Sequence, residues 1–580
     1  MKTFRLISER ITIMKSYNFI GQVLLLFMVA FTMTTCEAKI SKVQNAEAKI
    51  DSLVAGWIDS TTPGGCIAVI KDGEIKFKKG YGLANVEYNI PNTPSTVFNI
   101  GSIDKQFTAF AIAMLADQGL ISLQDDIRKY FPELPEFKSK ITIQHLIDHT
   151  SGLRDYAQLI KLAGWLEQDE LTREQIFNLV VNQKELNFLS GEEWDYSNTG
   201  YELLTRIVEI VTKKSFGEWT NENLFKPLEM SNTHFISDYR TIIKNLAHPY
   251  KLNANNEFIL NNWQWGCYNL YTTVEDIAKW INNFESGKIG GESVLKKMNE
   301  RGVLNNGEKT KYGFGQSFGE YKGLKTVTHS GGIASYISYL MRFPEQKFAV
   351  VVLCNGGWID VLTISKKIVD IYLGDMLKSE QPEKKIEKEV AVTKPAYIDL
   401  APEALKKYEG DFKLETGKLL SIVREGNHLA LKNLSKTPFI LFPVSETKFV
   451  AEGAKLETNF MVEPNGNISS IKIDMGIMKV TASRFTEIKL SKKELSAFIG
   501  NYYSDELKTI YTLKIKNDVL IGEHLRYPDT KLTPSTQNEF NGSNAWLRNV
   551  KFERTKENQI TGFRLSPGYI KNGVWFEKIK

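Results

Sequence analysis

The sequence predicts an α+β fold: an antiparallel sheet with flanking helices and an all-α subdomain, followed by two small all-β modules. Three observations lead there. Strand-like runs at 65–77 return at 311–355, while 120–300 reads as mostly helical, so N- and C-terminal strands would close one sheet around a helical insertion. Asp72-Gly73 separates two such runs, Gly65–Ile70 and Glu74–Phe77, the pattern of a tight hairpin. Beyond 397 the pattern is almost wholly β and repeats. Leu405-x-x-Tyr408-x-Gly410-Asp411-Phe412 matches Leu495-x-x-Phe498-x-Gly500-Asn501-Tyr502; further on, Phe460, Ile468 and Phe485 match Phe552, Ile560 and Phe576.

In chain order, 1–38 reads as a targeting segment. Lys15 precedes an apolar stretch from Phe19 to Phe31, then small polar residues and Cys36, as in a signal peptide with a short apolar core. Met14 is a more natural start for it than Met1. Met33-Thr34-Thr35-Cys36 looks like a loose bacterial lipobox, which would put a lipid on Cys36 and attach the chain to a membrane; cleavage after Ala38 is the alternative. The expectation is export, to the periplasm or a membrane surface. An amphipathic helix near 44–58 opens a domain expected over 45–376. Residues 377–396 are charged and punctuated by proline, the composition of a solvated linker. The repeats then occupy 397–490 and 491–580.

Composition narrows the function classes. With 73 basic and 68 acidic residues among 580, the net charge of +5 is too balanced for nucleic-acid binding. The four cysteines (Cys36, Cys66, Cys267, Cys354) show neither paired metal-ligand spacing nor a dense disulfide pattern. Cys66 and Cys354 fall inside apolar runs and read as buried free thiols.

The chain is organised around Phe98–Ala109. Ser102 stands three residues before Lys105, where an apolar helical run begins (Phe107, Phe110, Ala111, Met114, Leu115) and continues to Gly119. At helical spacing the lysine amine can reach the serine hydroxyl. A serine is a weak nucleophile until a neighbouring base takes its proton, and free N–H groups at a helix start favour developing negative charge. Spacing alone is weak, since Ser-x-x-Lys also occurs at Ser293, Ser445 and Ser469. Two other segments supply company. Tyr196-Ser197-Asn198 is the only Tyr-x-Asn in the chain; a tyrosine can act as general base, and an asparagine amide can orient a lysine or substrate. Alone it would read as a loop aromatic beside a turn asparagine. His329-Ser330-Gly331-Gly332 opens a strand whose glycines would let a substrate backbone approach, with His329 able to donate to a carboxylate or move protons.

In the order Ser-x-x-Lys, Tyr-x-Asn, His-x-Gly, the three motifs resemble the serine β-lactamase and penicillin-binding D-alanyl-D-alanine peptidase superfamily, nearest its class C branch. Leu146–Leu153 and Tyr271–Asp276 also look like that family, and the β repeats resemble lipocalin-like modules. The resemblance implies a β-lactamase/transpeptidase-like fold and an acyl-enzyme mechanism without metal or organic cofactor. Ser102 would attack a carbonyl, Lys105 and Tyr196 would share the base and acid roles, and Asn198 would hold substrate or lysine. The Ser102 and Gly332 N–H groups would form the oxyanion hole. Class C β-lactamases usually carry lysine where this chain has His329, and no Lys-Thr-Gly, Lys-Ser-Gly or Ser-Asp-Asn occurs, so the peptidase and esterase relatives are the better match. The implied partner is a small-molecule or peptide substrate, such as a cell-wall fragment. The rival readings are a catalytically silent binder of such fragments and a membrane-anchored scaffold working through its repeats.

Overall fold

A computed structural model describes residues 45–238, 240–261, 268–378, 397–435, 437–451, 456–475, 479–568 and 570–580. The targeting segment with Cys36, Cys267 and residues 379–396 of the linker lie outside the described residues.

The N-terminal domain is built on one antiparallel sheet: β1 (Gly65–Lys71), β2 (Glu74–Tyr81), β3 (Tyr312–Gly313), β4 (Gln316–Tyr321), β5 (Leu324–Ile333), β6 (Tyr336–Phe343) and β7 (Phe348–Cys354). Their order across the sheet is β3-β4-β5-β6-β7-β1-β2. The early strands thus close against the late ones, with Cys66 opposite Leu353 and Val69 opposite Val350. Asp72 and Gly73, at φ 52° and 79°, form the two-residue turn that joins β1 to β2.

β1 is buried along almost its whole length because both faces are covered. Ile67 and Val69 turn to one side, where a helix over 45–54 (α1) and a C-terminal helix pack through Ile50, Val54, Ile364 and Ile368. Cys66, Ala68 and Ile70 turn to the other, against α2 (Lys105–Asp117). Cys66 and Cys354 are buried free thiols. Nearly every residue of α2 is buried, as an apolar-all-round helix requires. Phe107 stacks on Trp280 at a centroid distance of 4.1 Å.

The inserted helices are α3 (Ile143–Ile147), α4 (Tyr156–Leu162), α5 (Arg173–Val181), α6 (Asn198–Thr212) and, further on, α7 (Val274–Ser286). Thr142, Asp155, Thr172 and Thr273 each cap the helix that follows with a side-chain oxygen.

Each repeat is a closed barrel of eight sequential antiparallel strands, within Gly410–Phe485 and Gly500–Ile579. Closure leaves no free sheet edge. Gly410 and Gly500 both take backbone angles open to glycine, φ +139° and +147°. Tyr408 packs on Phe460 (4.8 Å) as Phe498 packs on Phe552 (4.6 Å). One match shifts: Phe485 pairs with Asp411, and the second barrel pairs Asn501 with Ile579, so Ile579 rather than Phe576 is the counterpart of Phe485. The first barrel has its own core, whereas the second barrel's core runs on into that of the N-terminal domain.

Candidate active site

Three segments converge on the start of α2. The chain passes through a 3-10 turn at Gly101–Asp104 and enters α2 at Lys105. Ser102 therefore sits in a tighter turn ahead of the helix and not within it. The pairing survives because residues three apart eclipse in a 3-10 turn. Lys105 Nζ donates to Ser102 Oγ at 3.2 Å.

Glycines let the turn close on the sheet. Gly101 sits at φ +51°, and a Cβ there would stand 2.6 Å from Gly332 N. A Cβ on Gly331 would lie 1.9 Å from the Ile100 carbonyl oxygen, so β5 can press against Ile100 only with glycine in that place. A Cβ on Gly332 would meet nothing within 4 Å. Gly332 faces open space.

Gly332 also lines a cavity of about 240 Å³, together with Ser102, Lys105, Asn198, Tyr156 and Phe235, among others. Ser330 and Gly331 do not line it; with Gly332 they border a second, more open hollow beside the β5–β6 turn. Lys105 is 6% exposed and lies 3.8 Å from Asp104, whose carboxyl is pushed up to about 6 by burial against the pull of the lysine. Its Nζ stands 5.4 Å from the Tyr196 ring centre and 5.5 Å from that of Tyr201, an amine held over two aromatic faces.

Tyr196 belongs to an aromatic cluster behind the lysine, its ring 4.3 Å from His149, 6.3 Å from Tyr312 and 6.5 Å from His329. Its hydroxyl is buried and has no hydrogen-bond partner among the described residues. His149 Nδ1 accepts from the Ser197 N–H at 3.2 Å, and burial pushes its pKa well below the usual histidine range, keeping it neutral. Asn198 opens α6, and its Nδ2 donates to Asp155 Oδ2 at 2.9 Å. Its amide is thus tied to a carboxylate as well as lining the cavity.

His329 does not line the cavity. Nδ1 donates to the Ser330 carbonyl at 2.7 Å, which leaves Nε2 to accept from the Tyr312 hydroxyl at 2.9 Å. Both nitrogens are occupied, and burial lowers the pKa to about 4. The expectation of a histidine moving protons near neutral pH gives way to a neutral imidazole locked between β5 and Tyr312.

Four groups escaped the sequence reading: Asp104, Asp155, Tyr201 and Tyr312. Only Asp155 carried a local signal, as an acidic cap before the α4 run. Asp104 matters through Lys105 beside it in the chain, and the two tyrosines through neighbours distant in sequence.

An antiparallel sheet with an all-α insertion, a lysine-paired serine at the start of a buried helix and a glycine strand alongside define a serine hydrolase. The Beta-lactamase family profile matches residues 46–357, more than half the chain, and the protein belongs to that family. It is 26% identical to penicillin-binding protein 4* of Bacillus subtilis over 433 residues, covering 71% of this chain and 93% of that one. It is 28% identical to a D-aminopeptidase of Gluconobacter oxydans, covering 53% of this chain but only 58% of the relative. The octameric penicillin-binding protein homologue of Pyrococcus abyssi superposes with a TM-score of 0.51 at 25% identity, covering 76% and 99% of the two chains.

Proposed function

We propose that the protein cleaves small amides, esters or short peptides through an acyl-enzyme on Ser102. The observation that carries this is the buried Lys105 amine 3.2 Å from the Ser102 hydroxyl, at the floor of a cavity. Ser102 Oγ attacks the substrate carbonyl while its proton passes to Lys105 or Tyr196, which share the base and acid roles. The Tyr196 hydroxyl, buried and without a hydrogen-bond partner among the described residues, suits that exchange. The Ser102 and Gly332 N–H groups hold the oxyanion, a contribution of about 10²–10³ in rate per donor. Asn198, fixed by Asp155, orients the substrate. The amine or alcohol departs with a proton, and water releases the acyl group.

At about 240 Å³ the cavity is smaller than the ~300–1,000 Å³ of drug-sized sites, which favours a compact acyl group. Similarity to a penicillin-binding protein and a D-aminopeptidase supports D-amino-acid amides or D-Ala-D-Ala-like peptides, with β-lactams as slow acylating analogues. The lack of a lysine at His329 argues for peptidase or esterase work over antibiotic hydrolysis. Export, with a lipid on Cys36 or cleavage after Ala38, belongs to the same reading; the mass of the secreted chain separates the two. The activity test is a panel of D- and L-amino-acid amides, p-nitrophenyl esters and a penicillin, run beside Ser102→Ala. Turnover of at least one class that vanishes in the variant is expected. Equal turnover by both would remove Ser102 from the mechanism.

A further inference from the structure

The mechanism makes no use of the second barrel, yet its docking face falls on the segments that carry Tyr196 and Asn198. Arg154 is 1% exposed, and its Nη1 donates to both carboxylate oxygens of Glu506 in the barrel, at 2.6 and 2.8 Å. Nη2 donates to the Gly573 carbonyl, also in the barrel, at 2.8 Å. The backbone of the same residue bonds within the domain that carries Ser102. Its N–H donates to Gln183 Oε1 at 2.9 Å, and its carbonyl accepts from Thr199 Oγ1 at 2.7 Å. Asp155, next in the chain, accepts from Asn198. One residue thus ties the barrel to the first turn of α6.

A second grip lies on the other flank. The Lys571 N–H donates to Asn187 Oδ1 at 3.2 Å, and Asn572 Nδ2 to the Leu186 carbonyl at 2.6 Å. Arg564 pairs with Glu185, and Lys571 with Glu193. This loop runs into Asp195-Tyr196, where the Asp195 N–H donates to the His149 carbonyl at 2.9 Å. The barrel holds both approaches to Tyr196–Asn198, and none of its described residues lines the cavity.

We infer that the second barrel is a positioning module for Tyr196–Asn198, and that Glu506 is the positioning residue through which it acts on Arg154, Asp155 and Asn198. The inference rests on the acyl-enzyme reading. A buried ion pair is a poor source of stability, because two charges lose their hydration. What a buried, charge-assisted contact from one guanidinium nitrogen to both carboxylate oxygens supplies is direction. The apolar part of the interface already provides adhesion, since the two cores are continuous.

The test uses full-length variants and hydrolysis of p-nitrophenyl acetate, at a temperature where circular dichroism shows each variant folded. In Glu506→Gln, kcat is expected to fall about 10- to 100-fold with KM within about twofold, the cost of a misplaced catalytic group. Glu506→Asp, which keeps a carboxylate, should recover most of the rate. Because Glu506→Gln removes the nearer of two carboxylates beside a buried guanidinium, leaving Glu185 at 3.7 Å, and could unfold the interface, Asn572→Ala gives a milder probe from the rim. There kcat should fall about 3- to 10-fold with an almost unchanged melting temperature, by the same loss of position. Wild-type kcat in both folded variants would overturn the inference. So would a loss that follows the folded fraction and disappears on cooling. Turnover by Ser102→Ala equal to wild type would instead remove the acyl-enzyme reading beneath it.

Discussion

Lys105 reaches Ser102 because the two residues between them lie in a 3-10 turn, and because two tyrosine faces and Asp104 hold the amine out of bulk water. Replacing it with alanine should lower the acylation rate by about 10²–10⁴, the usual share of general base catalysis, without loss of fold. Stopped-flow acylation by a p-nitrophenyl ester measures it. His329 makes a different prediction. Its folded pKa of about 4 lies below the ordinary 6.5. Between those values the unfolded chain takes up a proton that the folded site refuses, so stability is full above 6.5 and drains as the pH falls towards 4. In His329→Gln the drop in melting temperature from pH 7 to pH 5 should be smaller than in wild type. Between pH 5 and 8 the shape of the kcat/KM profile should not differ between the two. A limb lost only in the variant would show that His329 titrates in catalysis after all. The sequence pointed to this histidine but not to its state, since Tyr312, the partner that fixes its tautomer, has no motif of its own.

Among the elements, β5 shows how a strand can be made for close approach on one side and left open on the other. A Cβ at Gly331 would strike the Ile100 carbonyl; one at Gly332 would meet nothing within 4 Å. Alanine at 331 should therefore cost about 1–3 kcal/mol as an overpacked contact, and melting would show it. Alanine at 332 should leave the melting temperature in place, because its methyl would meet nothing within 4 Å. The reverse pattern would contradict this packing of β5 against Ile100. Much of this was legible in the sequence. Ser-x-x-Lys, Tyr-x-Asn and the glycines of the His329 strand each predicted a local conformation, and each lies beside the same helix start. The 3-10 turn at Ser102 was not legible, because it depends on Gly101 closing against Gly332, which is 231 residues away in the chain.

For the molecule as a whole, the repeat beginning at Leu405 and Leu495 foretold two barrels of one kind, down to the glycines at 410 and 500. The unequal attachment of the two barrels could not be read that way. Arg154 and Glu506 are 352 residues apart, and nothing local marks either as a partner. The first barrel keeps a core of its own while the second joins the domain that carries Ser102. Packing therefore separates two modules that sequence presents as copies.

The central claim is that Ser102 forms a covalent acyl-enzyme, and intact mass tests it most directly. The full-length protein and Ser102→Ala are each mixed with a penicillin and followed over time. We expect the wild type to gain the mass of one opened β-lactam, mapping to the Ser102 peptide, and the variant to gain none. An adduct that forms equally on Ser102→Ala, or that maps to another residue, would contradict the claim.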